Sequence, residues 1–401
     1  MKYLVATVAT LAIAGPACAQ QIQLAPVAEA RLRYEQVDQD GLPLKAQALT
    51  ARARGGLTAS SGALSATVVA QGTLAMVDHY FDGLDGPANR PLVADPQNVA
   101  LYVAQLRYAT KGLTVTAGRQ VIKLDDERFV GNVAFRDNAQ TFDAVRAELM
   151  PTKHVKLDMA YAWSVRTIWG IQGKGARPQS VDGNTVLGNL SWSSKAGTLT
   201  GFAYLVDEDE AAVQAFGLSS QTYGVRLAGA QTLLPKVKLA YQASYARQSA
   251  YHRNPHEYKA DYWLADATLD MRGFKLNAGY EVLGASSGAP LTSFQTPLGT
   301  NFKFQGWADK FLTTPPDGVR DLYFGTGYGQ KKLGPLADVT LGATWHRFDS
   351  DRNVRRYGSE WDLLASAKVM KTTLAVRYAH YDARTLATDT SKVWLQADWA
   401  L

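Results

Sequence analysis

The chain has one cysteine, few charges and, after residue 15, no apolar run long enough to cross a membrane as a helix. Each absence removes a class of protein. With 19% charged residues in 401, against 19 Tyr and 9 Trp, the composition is wrong for a disordered or coiled-coil chain. Without a run of about 20 apolar residues, a helical membrane protein is excluded too. The chain carries no Walker-type loop, no HExxH and no CxxC, and its six histidines are dispersed. The usual signatures of phosphate-binding, zinc and dithiol chemistry are therefore missing. His252 and His256 share a segment that reads as loop and are expected to be solvated, since such a pair holds a metal well only on a helix. No cofactor and no metal site are expected. A soluble core rarely grows past about 250–300 residues, so a soluble chain of this length should break into domains. The aromatics and the 34 glycines instead run evenly to the last residue.

The first nineteen residues read as an export signal. Lys2 supplies a positive start, Leu4 to Ala14 an apolar stretch, and Ala17-Cys18-Ala19 the small residues of a cleavage site. Cleavage there leaves residues 20–401 and removes the single cysteine with Lys2, so the formal charge falls from +6 to 41 − 36 = +5. The exported chain has no disulfide and no thiolate chemistry.

What remains alternates. In Glu29-Ala-Arg-Leu-Arg-Tyr-Glu35 the even positions are apolar and the odd ones charged. The same period of two recurs in Ala100–Tyr108, Leu157–Trp163, Val237–Tyr245, Phe274–Tyr280 and Val339–Trp345. Alternation predicts strands with one apolar face. The other face carries Arg, Gln, Thr, Ser and Gly, as a wet lumen requires. Eighteen such segments begin near residues 29, 47, 63, 99, 112, 141, 155, 185, 197, 221, 236, 259, 273, 320, 336, 359, 371 and 391. Most are about 10–12 residues long, the span of a tilted transmembrane strand. Short connections such as Arg272-Gly273 alternate with long ones, among them 75–98, 121–140 and 285–319. The expected fold is all-β: a closed transmembrane antiparallel barrel of about 18 strands, in the outer membrane of a Gram-negative bacterium. Short turns and both termini are expected on the periplasmic side, with long loops outside. Tyr34, Tyr108, Trp163, Tyr245, Tyr280, Trp345, Tyr378 and Trp399 fit the outward parity near strand ends, where aromatic girdles meet lipid and lipopolysaccharide. The final segment Val393–Leu401 alternates to its end, like the terminal strand that barrel-insertion machinery reads.

Several segments carry a family likeness. These are Gly118–Asn132 running on to Asp143, Phe294–Thr300 followed by Lys303–Leu312, the opening Arg33-Tyr34-Glu35, and Tyr357–Asp362. Together they resemble the alginate-export porins of Gram-negative outer membranes, in the expected order along the whole exported chain. The resemblance implies a monomeric eighteen-stranded barrel with an electropositive conduit for a polyuronate.

Inward parity on the first strands falls to Arg31, Arg33, Arg52, Arg54 and Arg107, with Arg146 on the sixth. Arg119, Arg128 and Arg136 lie in or beside the 121–140 loop, which could fold inward. Inward positions later in the chain are more acidic: Asp266, Asp270, Glu281, Asp321 and Asp362, against Arg226, Lys238, Lys275, Lys368 and Arg377. Guanidinium groups facing carboxylates would set a transverse field across a constriction. Arginine suits carboxylate-bearing solutes because its planar fork binds them bidentately and stays charged. The bland alternative is that such arginines only pair with acids on neighbouring strands. In the 285–319 loop, Phe302, Lys303, Phe304, Trp307 and Lys310 could contact a glycan or form a plug; packing of the loop on itself or the rim is the favoured reading. Asp207–Glu210 is expected to be a solvated loop rather than a Ca²⁺ site, for want of a calcium-loop pattern. The functional expectation is a passive channel for an anionic saccharide, alginate or a related uronate. The alternative is a less selective porin for small anionic solutes; a lipid-modifying barrel enzyme comes third. Nucleic acid is not an expected partner, because the basic residues alternate into a lumen.

Overall fold

The computed structural model describes residues 22–401. The expected signal, with Cys18, lies outside the described residues. The strands are β1 Gln23–Gln39, β2 Ala46–Ser61, β3 Leu64–His79, β4 Asn98–Thr110, β5 Leu113–Gln120 and β6 Thr141–Thr152. They continue as β7 Val155–Arg166, β8 Ser180–Ser194, β9 Gly197–Glu208, β10 Ser220–Leu234, β11 Val237–Ala250 and β12 Lys259–Met271. The last six are β13 Phe274–Leu283, β14 Val319–Leu333, β15 Leu336–Asp349, β16 Arg356–Val369, β17 Thr372–Ala383 and β18 Thr390–Ala400. Each pairs antiparallel with its sequence neighbours, and β18 returns to β1 with Ala30 opposite Trp399 and Arg33 opposite Gln396. The sheet is a closed eighteen-stranded barrel. Closure leaves no sheet edge to carry unpaired N–H and C=O groups into hydrocarbon. No α-helix occurs among the described residues.

The alternating pattern produces two opposite faces. On β1, Arg33 and Glu35 are buried inside the barrel while Leu32, just before Arg33, is exposed on the outer wall. Outward Leu74, Val99, Leu106, Leu190, Leu276, Leu341 and Val376 are likewise exposed, giving the apolar belt that a bilayer would cover. Tyr108, Trp163, Tyr280 and Tyr378 are among the exposed outer aromatics. Tyr245 packs on Trp263 at 4.3 Å between ring centroids.

Eight connections are two residues long and alternate with nine longer ones. Arg272 and Gly273 both have positive φ, +58° and +95°, the twist that a two-residue hairpin turn needs. β1 starts six residues before the alternation becomes readable. Gln23–Ala28 carries little polarity contrast, and pairing with Gly55–Ser60 of β2 holds it in the sheet.

Candidate functional site

Two of the long connections leave the rim and fold into the barrel: 121–140, between β5 and β6, and 284–318, between β13 and β14. They interlock there. Val130 and Leu298 form a parallel bridge, Gly131 N–H donates to the Leu298 carbonyl at 2.9 Å, and Thr300 N–H to the Glu127 carbonyl at 2.9 Å. Glu127 accepts from Lys303 Nζ at 2.7 Å and from the Thr300 hydroxyl at 2.8 Å. Burial raises the Glu127 carboxyl, but Lys303 and Thr300 outweigh it and hold it below the usual carboxylate range. Phe129 packs at 5.0–5.8 Å from Phe202, Tyr262 and Phe294. Phe135 stacks on Phe302 at 3.4 Å, and both meet Trp394 edge-on at 5.8 Å. The lumen therefore has an aromatic core of its own.

One stretch of wall, β17 through β2, is basic. Arg31 and Arg33 hold the inward loop by its backbone: Arg31 Nη1 donates to the Phe135 carbonyl at 2.9 Å, and Arg33 donates to the same oxygen. Arg33 also pairs with Asp95 at 2.6 Å, and Arg31 with Asp398 at 2.7 Å. Asp137 accepts from the Thr50 hydroxyl at 2.6 Å. Burial pushes its carboxyl up, but Arg33, Arg31 and Thr50 win and hold it low. Arg136 pairs with Asp309 at 2.7 Å and Glu35 at 3.5 Å, and Lys392 reaches Asp309 at 2.8 Å. Lys310, half-buried beside Lys392, is brought down to about 8 by burial and that like charge. Around this patch stand Arg31, Arg33, Arg52, Arg54, Arg136, Arg377, Lys310 and Lys392, eight cations. Six carboxylates accompany them: Glu29, Glu35, Asp95, Asp137, Asp309 and Asp398.

Three of the arginines are incompletely satisfied. Arg52 and Arg54 share one carboxylate, Glu29, at 3.6 and 3.2 Å. Arg377 lies over Phe135 and Trp307, at 5.6 and 6.0 Å. Arg52 Nε, Arg54 Nη2 and Arg377 Nη1 are buried and have no hydrogen-bond acceptor among the described residues. Arg54 also stacks on Tyr102 at 3.7 Å.

The wall from β12 to β16 is acidic, as parity predicted. Glu281 takes Arg128 Nε at 2.7 Å, the Tyr262 hydroxyl at 2.8 Å and Gln305 Nε2. Asp321 accepts from His346 Nδ1 at 2.9 Å. Glu360 and Asp362 accept the backbone N–H groups of Ala308 and Trp307, at 2.7 and 3.2 Å. Among the described lysines and arginines, only Arg128 ion-pairs with these four acids. The acids fasten the 284–318 loop as Arg31 and Arg33 fasten the 121–140 loop.

The remaining expected residues divide. Arg128 and Arg136 lie in the lumen as plug fasteners. Arg107, opposite Ser65, faces the lumen toward the short-turn end and is exposed. Arg146 also faces inward but is chelated by Asp158, at 2.8 and 2.6 Å. Arg119 departs from expectation. Thr116 faces the lumen opposite Arg107, so Arg119 has the outward parity; its guanidinium is bidentate to Asp143 at 2.7 and 2.8 Å. Phe302 is spent on packing and Phe304 lies under Arg128 at 4.7 Å, which favours the plug over glycan contact. Asp207 and Glu208 are not solvated: both are buried, with His252 Nδ1 3.2 Å from Asp207. His252 itself is half exposed. Sequence reading missed Asp95, Asp137, Asp309, Lys392 and Trp394. The last two sit at inward positions of β18 and were readable from parity; the three loop acids have no period to reveal them.

No family profile matches this chain, and no curated protein matches it by sequence. Solved structures do match. Pseudomonas aeruginosa OccD3 (OpdP) superposes with a TM-score of 0.69 at 14% identity, over 94% of this chain and 91% of that one. Acinetobacter baumannii OccAB4 gives 0.70 at 12%, over 95% and 99%. Pseudomonas aeruginosa OpdK, in a structure with vanillate, gives 0.67 at 8%, over 94% and 98%. The likeness is one of fold. At these identities it supports an eighteen-stranded barrel of the outer-membrane porin kind and carries nothing specific to alginate export.

Proposed function

We propose that this chain is a passive outer-membrane channel for small anionic solutes, carboxylates in particular, whose path skirts the basic wall beside the interlocked loops. One observation carries the reading: Arg52, Arg54 and Arg377 stand in the basic wall with guanidinium N–H groups that no acceptor among the described residues meets. A carboxylate passing this wall meets their positive charge and, at each site, binds weakly enough to leave. The solute class is narrowed by the plug. Two loops cross the lumen and lock to each other, which suits a small acid better than a continuous polyuronate strand. The lumen cavity toward the short turns, beside Lys123, Arg146 and Lys156, measures about 320 Å³, of the order of a single small ligand. OpdK's vanillate is an aromatic monocarboxylate and gives a concrete first probe. On this reading the chain lies in a Gram-negative outer membrane with its short turns and both termini in the periplasm. It works without cofactor or covalent chemistry.

Planar-bilayer recording tests the proposal. Discrete conductance steps should appear, with anion preference and concentration-dependent block by vanillate or benzoate. Oligouronates should block no better than inert sugars of equal size. Strong oligouronate block would restore the saccharide reading; an absence of conductance would remove the channel altogether.

A further inference from the structure

The wall is not built evenly. β5 has eight residues against thirteen in β4, and its pairing with β4 ends with Ala104 opposite Arg119. Asn98–Val103 pair with β3 on one side, while no strand covers their other edge. An uncovered edge costs several kcal/mol per unmet group in hydrocarbon. Substitutes close it. Beyond Gln120 the chain turns into the lumen, and a 3-10 turn at Gly170–Gln172, from the 167–179 connection, sits where β5 would continue. Ile171 N–H donates to Asn98 Oδ1 at 3.0 Å. Gly170 is obligatory there: its φ is +68°, and a Cβ would lie 2.6 Å from the Asn98 amide carbon. Arg119, anchored by Asp143, caps the open Leu101 carbonyl at 3.1 Å.

The patch is thin. One void of about 30 Å³ is lined from the lumen by Gln71, Asn138 and Ala139 and from outside by Leu101, Arg119 and Arg166. Among the described residues the Arg166 side chain makes no hydrogen bond or ion pair; the charges of Arg119, Asp143 and Asp182 act on it from further off. Outside, an apolar groove of about 660 Å³ runs along Ala51, Ala53, Gly72, Leu74, Val99 and Ile171. Val99 is 70% exposed and lies nine residues from Tyr108. At roughly 3.3 Å per residue and a 40° tilt that is about 23 Å, close to the full height of an apolar band roughly 25 Å tall. The breach therefore opens at the headgroup level. Asn98 also donates to Asn138 of the inward loop at 3.4 Å, so a single carboxamide touches both the outer strap and the plug.

We propose that this breach is a lateral portal through which an amphipathic monocarboxylate passes between lumen and membrane, its carboxylate received by Arg166, its alkyl tail lying in the outer groove, and the 167–179 strap as the door. This goes beyond axial passage and uses a different opening. The test is photolabelling in nanodiscs with a diazirine-bearing decanoate, run beside a diazirine-bearing phospholipid. In the parent protein the decanoate should label both sides of the breach, Gln71 and Asn138 as well as Leu74 and Val99. The double variant Asn98→Cys with Ile171→Cys, once oxidised, should confine the label to one side while axial ion conductance persists. Arg166→Gln, which breaks no side-chain hydrogen bond or ion pair among the described residues, should lower breach labelling at least fivefold and leave the rest of the apolar belt unchanged. If decanoate labels the groove no more than other strands, or if neither variant alters the two-sided pattern, the portal is refuted. Equal groove labelling by the phospholipid, insensitive to the lock, would make the groove a lipid site and overturn the portal. Because conductance is recorded separately, loss of the portal and loss of the channel are distinguishable.

Discussion

Arg128→Met probes the plug most directly. The guanidinium is fully buried; its contacts include Glu281 at 2.7 Å, Gln305 at 2.9 Å, Asn301 at 3.2 Å, Thr296 at 3.4 Å and the Phe304 ring at 4.7 Å. It is also, among the described lysines and arginines, the one that pairs with the acidic wall. Removing one partner of a buried pair costs about 3–5 kcal/mol, chiefly because the other charge is left unmet. Glu281 can take up a proton instead, so the lower end is the better expectation. At about 1.4 kcal/mol per tenfold, 3 kcal/mol raises the population of a released 284–318 loop roughly a hundredfold. Single-channel recordings should then show frequent excursions to a larger conductance, and the loop should become sensitive to protease from the long-loop side. The companion variant Arg128→Met with Glu281→Gln removes the stranded charge and should recover most of the closed state, as replacing both members of a buried pair costs little. Two results refute this reasoning: an Arg128→Met channel indistinguishable from the parent, or a double variant as open as the single.

Three further outcomes follow from the same geometry. Arg52→Gln and Arg377→Gln should each reduce anion preference in reversal-potential measurements and weaken vanillate block by about three- to tenfold, while Arg146→Gln, already chelated by Asp158, should change block much less. Lys310 titrates near 8, so the patch loses one positive charge as pH rises through that value, and anion preference should fall between pH 7 and 9. Lys310→Met should abolish that step. For stability the sign is opposite: the folded state holds this proton less tightly than the unfolded chain, so stability gains a contribution between about pH 8 and the ordinary lysine range, readable as a rising melting temperature. Gly306→Ala should loosen the plug, because Gly306 has φ +77° and an added Cβ would meet the Glu360 carboxylate. A cost of roughly 1–3 kcal/mol is expected from the backbone alone, visible as a lower unfolding temperature.

The barrel was legible because its rule is local. A period of two, read over ten residues, assigns a face without reference to anything distant, and eighteen repetitions with alternating gaps identify the architecture. The same rule put Arg31, Arg33, Arg52 and Arg54 in the lumen and the acids Glu281, Asp321 and Asp362 opposite them. It failed where period or register breaks. Arg119 was counted with the loop beside it, although β5 still alternates there and turns it outward. Asp95, Asp137 and Asp309 lie in loops whose course depends on partners far away in sequence. Whether an arginine is free or spent could not be read from its own strand: Arg33 is consumed by an aspartate 62 residues on and a loop carbonyl 102 residues on, whereas Arg52 is left with a shared glutamate.

The closing seam has a consequence for how the molecule is made. Every hairpin but one joins neighbours in the chain, whereas β1 finds its partner 367 positions later, where Arg31 meets Asp398. Contacts of that separation form last and slowly. Until Thr390–Ala400 exists, the molecule is a seventeen-stranded ribbon with two raw edges, unfit for hydrocarbon. Closure of the wall therefore rests on Thr390–Ala400, and the Arg31–Asp398 pair marks its completion.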